Sequence, residues 1–236
     1  MNLKGPIPFF PSLKPKLSFE ICGIVGFFFD CYPNASMSLI LALNTASRES
    51  AIALLNEHGV LEEVTWESQS RGSEQVLPRL EEMLALYGKN WKDLSSLVVV
   101  KGPGPYTSLR VGISIINSMA WVLKIPIRTV SVFELWKSRL PDDEKGKEYT
   151  VMISAGRTHY ILEGESSPRG SGELDMNRTR YMGELPAEHP GPGFSYKSFG
   201  QGLMALDASQ YEDLPIGVFA EPVYSRPPLV TVAKTS

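Results

Sequence analysis

Cysteine is scarce: Cys22 and Cys31 are the only two in 236 residues, and both precede Met37. From residue 37 onward the chain therefore has no disulfide framework and no cysteine-built metal site. That usage suits a reducing cytoplasm. Histidine is nearly as rare. His58, His159 and His189 lie far apart and form no H-x-x-x-H or H-E-x-x-H pair, so helical zinc chemistry has nothing to work with. Long apolar runs are missing too, since Ile21 to Phe29 falls well short of the roughly 20 residues that span a bilayer. Charge of one sign is not in excess. With 23 Lys and Arg against 26 Asp and Glu, the formal net charge of −3 offers no general attraction to nucleic acid or anionic lipid. Contact with RNA has to be local or come through a partner.

What is present falls into unequal parts. Residues 1–36 are rich in proline and phenylalanine and have neither helical nor alternating period. They read as an extension outside the fold, either disordered or upstream of a start at Met37. Glu20 interrupts the apolar stretch, and no small-x-small cleavage site follows, which argues against a secretory leader. From Met37 the text becomes regular. "SLILALNT", "ESAIALLN" and "HGVLEEVTWES" predict three strands joined by tight turns. "SEQVLPRLEEMLALYG" changes period: Val76, Leu77, Leu80, Met83, Leu84 and Tyr87 share one helical face, with Ser73 as N-cap and Gly88 as stop. "LSSLVVV" is a buried strand by its β-branched run.

Between that strand and the next helix stands "KGPGPYT", and over Thr107 to Leu123 the apolar residues cover more than half of the helix circumference. Leu109, Gly112, Ile113, Ile116, Ala120 and Leu123 form one face, which Val111, Ile115, Met119 and Val122 widen. Such a helix needs cover on more than one side. "IPIRTVSVFELWKSRL" reads as a strand and a helix, "PDDEKGKE" as a linker, and "YTVMISAGRTHYILEGE" as a hairpin that opens a smaller lobe.

A strand, a glycine turn and a helix N-terminus can hold a phosphate through backbone N–H groups. Here Pro103 and Pro105 have none to give, and Lys101 precedes the turn instead of ending it as in G-x-x-x-x-G-K-[ST]. The turn is expected to aim the helix. Ser47, Ser108 and Ser154 are nucleophile candidates by residue type alone, without a G-x-S-x-G elbow or a neighbouring histidine. Glu81 and Glu82 diverge by about 100° on their helix and belong to a solvated face.

"ILALNTASRESAIALL", "SEQVLPRLEEML", "KGPGPYTSLRVGISIINSMAW", "VSVFELW" and "PVYSRPPLV" occur in an order and spacing that resemble the TsaB (YeaZ) family, across roughly residues 38–232. The resemblance implies an α/β, actin/Hsp70-like (ASKHA, RNase H-like) fold with mixed sheets flanked by helices, its larger lobe at 37–140, a smaller one at 148–218 and a tail at 219–236. It implies a cytoplasmic, non-catalytic subunit with no cofactor of its own. That subunit would pair with a TsaD-like paralogue, beside a TsaE-like ATPase, to make threonylcarbamoyladenosine in tRNA; tRNA would be met only through the complex. The implied partner interface lies on the two helices at Val76, Leu77, Leu80, Met83, Leu84, Leu109, Gly112, Ile113, Ile116 and Ala120. Self-association through the same helices is expected when the partner is missing.

The chain also departs from the family. Asn44, Thr45 and Ala46 stand where Asp-Thr-Ser is usual, Pro105, Tyr106 and Ser108 alter the G-P-G-S-F-T-G pattern, and Ser154 to Arg157 alter an Asp-Ala-Arg pattern. Asn44 brings no charge to offset Mg²⁺. The alternatives are an independent ATP-binding enzyme of this fold and a peptidase-like relative. Mg-dependent ATP binding separates the first from a scaffold, and the missing histidine pair speaks against the second.

Overall fold

Leu39–Asn44, β1, is buried at every position, which requires cover on both faces of its sheet. The computed structural model describes residues 38–67, 72–155, 159–175, 180–189 and 191–225. The reading of residues 1–36 lies outside that set. β1 pairs antiparallel with β2 (Glu49–Asn56), and β2 pairs with β3 (Gly59–Glu67), as the three apolar runs predict. On its other side β1 runs parallel to β4 (Leu94–Val100), and β4 runs parallel to β5 (Ile127–Val130). A sixth strand, β10 (Tyr211–Leu214), joins the outer edge of β5 antiparallel, giving the order β10-β5-β4-β1-β2-β3.

Helix α1 (Val76–Leu86) begins after a 3-10 turn at Gly72–Gln75, so Ser73 lies inside that turn and Gln75 is the residue that precedes the helix. Pro78 is the third helical residue. N–H groups in the first turn have no intrahelical acceptor, so its missing donor costs the helix nothing. At the far end Gly88 adopts a left-handed φ of 61°, its N–H reaches Ala85 O at 3.0 Å, and Lys89 N reaches Leu84 O at 2.9 Å. Helix α2 (Tyr106–Leu123) packs across β4, β1 and β5, and α1 packs on β2.

The second sheet has the order β8-β7-β6-β9 and comprises β6 (Thr150–Ser154), β7 (His159–Leu162), β8 (Arg169–Gly170) and β9 (Tyr181–Gly183). Its core is Met152, Tyr160, Leu162, Leu174 and Tyr181, with Leu185 against them. Helix α3 (Val132–Ser138) touches β6 and α4 (Phe199–Met204), and α4 lies on β3 and β2. Of the span 148–218 expected to form a smaller lobe, the described strands between residues 150 and 183 make the second sheet, whereas α4 packs on the first sheet and β10 pairs with its β5 edge.

Candidate functional site

The turns that follow β1 and β4 meet at the carboxyl ends of two adjacent parallel strands, the end of an open α/β sheet where ligands usually bind. The first turn is held by Asn44. Its Oδ1 accepts from Ala46 N at 2.9 Å, and its Nδ2 donates to Ser47 Oγ at 3.1 Å. Asn44 is buried, so both ends of the amide are used in shaping the turn.

The second turn packs tightly on its neighbours. A β-carbon on Gly104 would lie 2.1 Å from the carbonyl oxygen of Ala46, so the two turns touch backbone to backbone. Gly102, at φ 105°, packs similarly against the carbonyl of Val223. The carbonyls of the turn are also taken: Val132 N donates to Gly102 O at 3.0 Å, and Val223 N donates to Lys101 O at 2.7 Å. Lys101 turns away from the loop to Glu212 on β10 at 2.7 Å and, with Thr129, holds that carboxyl below its usual range. The glycines thus permit close approach of two backbones, and the segment aims α2.

The polar centre of the site comes from the second sheet. Glu184 follows β9 directly and is buried, at 7% exposure. Its Oε1 accepts from Arg48 N at 2.6 Å and its Oε2 from Ser154 N at 2.9 Å, and Ser47 adds a hydroxyl contact. Burial pushes the carboxyl above the ordinary range; the N–H groups of Arg48 and Ser154, the Arg48 charge and the Ser47 hydroxyl pull the other way. Arg48 in turn donates to Tyr160 Oη at 3.1 Å. This tie joins the β1–β2 turn to the second sheet. Sequence inspection misses it, because the bonded residues are 136 and 30 positions apart and nothing local marks Glu184.

The other nucleophile candidates stay separate. Ser47 and Ser154 are buried beside Glu184, whereas Ser108 lies in the first turn of α2. Among the described residues no three His, Cys, Asp or Glu side chains group as metal ligands would. None of their helices is long and apolar enough to cross a membrane.

The residues expected at a partner interface divide sharply. Val76, Leu80, Met83 and Leu84 on α1, and Leu109, Gly112, Ile113, Ile116 and Ala120 on α2, are buried within the chain's own fold. Their helical faces cover the first sheet. Leu77 alone of the ten is exposed, at 47%. The surface instead shows residues off those faces: Trp121 at 57% and Val122 at 74%, with Val111, Ile115 and Met119 half-buried beside them. The segment 215–225 borders this region. Asn117 clamps Ala220 through both amide atoms, at 2.9 and 3.0 Å, Phe219 lies against Trp121, and Tyr224 against Tyr106.

A five-strand order β3-β2-β1-β4-β5 in which β2 alone runs antiparallel to the other four, with helices on the sheet and a second, smaller sheet, defines an actin/Hsp70-like (ASKHA, RNase H-like) α/β protein. A family model described as TsaD, tRNA N6-adenosine threonylcarbamoyltransferase, matches residues 59–173. The chain is 38% identical over 95 residues to the tRNA threonylcarbamoyladenosine biosynthesis protein TsaB of Bacillus subtilis (strain 168), which covers 40% of this chain and 42% of that one. It is 27% identical over 119 residues to the TsaB of Buchnera aphidicola subsp. Acyrthosiphon pisum (strain APS), covering 50% and 54%. The chain thus spans about half the length of the curated relatives it matches. Among solved structures, YeaZ from Pseudomonas aeruginosa aligns at 23% identity and a TM-score of 0.47, over 63% of this chain and 65% of that one. Over the matched part of its length the chain is similar to proteins of the TsaB (YeaZ) family.

Proposed function

We propose that this chain is a cytoplasmic, non-catalytic subunit that supports threonylcarbamoyladenosine formation in tRNA by docking on a TsaD-like partner, with a TsaE-like ATPase and tRNA met through that complex. The observation that carries the docking is the second apolar strip of α2. Its buried face is already covered by the first sheet, yet Val111, Ile115, Met119 and Val122 continue around the helix with Trp121 beside them. Leu77 on α1 adds to the same kind of surface. Stable obligate interfaces bury on the order of 2,000 Å² or more, which two helices and the 215–225 segment are suited to supply.

The non-catalytic part of the reading is supported by the two turns. Asn44 is neutral and engaged on both sides, and Gly104 is closed against Ala46. The test is size-exclusion chromatography with light scattering of the full chain, alone and mixed with the TsaD homologue of the same organism. A one-to-one complex is expected. Separate elution of the two proteins overturns the docking, and calorimetric detection of Mg-dependent ATP binding by the chain alone overturns the non-catalytic reading.

A further inference from the structure

The donors around Glu184 come from a turn and from the end of a strand, and each is placed by bonds of its own. Arg48 N and the Ser47 hydroxyl belong to the turn that the Asn44 amide fixes, and Ser154 N sits at the end of β6, held by its pairing with Tyr160 on β7. Main-chain N–H groups converging from different elements, with a hydroxyl and a guanidinium close by, are a donor set suited to oxyanions. Here they surround a carboxylate that is itself buried.

We propose that Glu184 is the resident occupant of an oxyanion pocket formed by Arg48 N, Ser154 N, the Ser47 hydroxyl and the Arg48 guanidinium, which accepts a small external oxyanion once that side chain is truncated. The chain thereby supplies its own anion and excludes phosphate from that donor set. This goes beyond the docking role and involves no partner, so neither result depends on the other.

The experiment is thermal unfolding of full-length wild type, Glu184→Gly and Asp142→Asn in formate, acetate or inorganic phosphate, each against chloride at matched ionic strength. The Glu184→Gly variant is expected to melt below wild type and to regain stability along a saturable curve in one of the oxyanions. Wild type and Asp142→Asn are expected to show no such curve. The same unsaturated response in all three proteins overturns the pocket, as does saturable phosphate binding by wild type. Should Glu184→Gly not fold, Glu184→Gln preserves the side-chain volume. Amide exchange at Arg48 and Ser154 is then expected to quicken on the order of tenfold as charge-assisted bonds are lost, and unchanged exchange overturns the proposal.

Discussion

Gly112 of α2 lies against Thr45 with no room between them: a β-carbon on the glycine would stand 2.0 Å from the threonine hydroxyl oxygen. Thr45 is buried, and its hydroxyl has no hydrogen-bond partner among the described residues, so contact with the helix is what it obtains there. A methyl group at residue 112 has to displace the Thr45 side chain or lift α2 from the turn that follows β1. Gly112→Ala is expected to lose about 1–3 kcal/mol, the usual range for overpacking a tight contact. Gly172, where nothing lies within 4 Å, serves as the control, and chemical denaturation of both alanine variants gives the comparison.

Burial separates fold from docking on α2. Ile113 is buried and Val122 is exposed. Ile113→Asp places an unpaired charge in the core and is expected to unfold the chain. Val122→Asp is expected to melt with wild type yet fail to co-elute with the TsaD homologue. A Val122→Asp protein that still forms the complex would move the interface elsewhere.

Glu63 on β3 caps α4 from outside the helix. Its carboxylate accepts from Ser198 Oγ at 2.7 Å, Phe199 N at 2.9 Å and Gly200 N at 2.8 Å. Removing an acceptor that serves three donors leaves the helix start unsatisfied, and Glu63→Ala is expected to cost about 1–3 kcal/mol. Glu81→Ala, on an exposed position of α1, should be near neutral in the same urea titration.

Asp142 gives an acid-range signature. Hydrogen bonds from Lys145 and Lys197, each at 2.8 Å, hold its carboxyl down to about 2, against an ordinary value of 3.8. A depressed folded-state value means that the contribution to stability is complete above 3.8 and is lost as pH falls toward 2. Asp142→Asn is therefore expected to flatten the pH dependence of stability over that interval and leave it unchanged near neutrality. The check is the difference in unfolding midpoint between the two proteins across pH. Because Asp142 is exposed, the effect is small and should shrink in salt.

The parts of the fold that sequence reveals are those written in local period and turn chemistry. β1, β2 and β3 follow from three apolar runs separated by short polar turns, and the buried face of α2 follows from the spacing of Leu109, Ile113, Ile116 and Ala120. The same periodicity cannot say which of two apolar faces the chain will cover itself. For that reason the residues expected at the interface include nine that pack inward. Pro103 and Pro105 bear on the phosphate reading from the sequence alone, but the reason both glycines are needed appears only when Ala46 and Val223 arrive from elsewhere in the chain. Glu184 is the extreme case. Each of its bonds is long-range, so its role has no expression in the residues beside it.

The return of β10 to the first sheet sets a schedule for synthesis. β5 ends at residue 130, yet its outer edge acquires a partner only from residues 211–214. A ribosome adding about 5–20 residues per second leaves that edge exposed for several seconds. During this interval the nascent chain carries an unpaired strand bordering its main sheet, the feature most prone to pairing with another chain. Early release short of Tyr211 would make the exposure permanent. For this protein, a strand made late in synthesis guards the outer edge of its larger sheet.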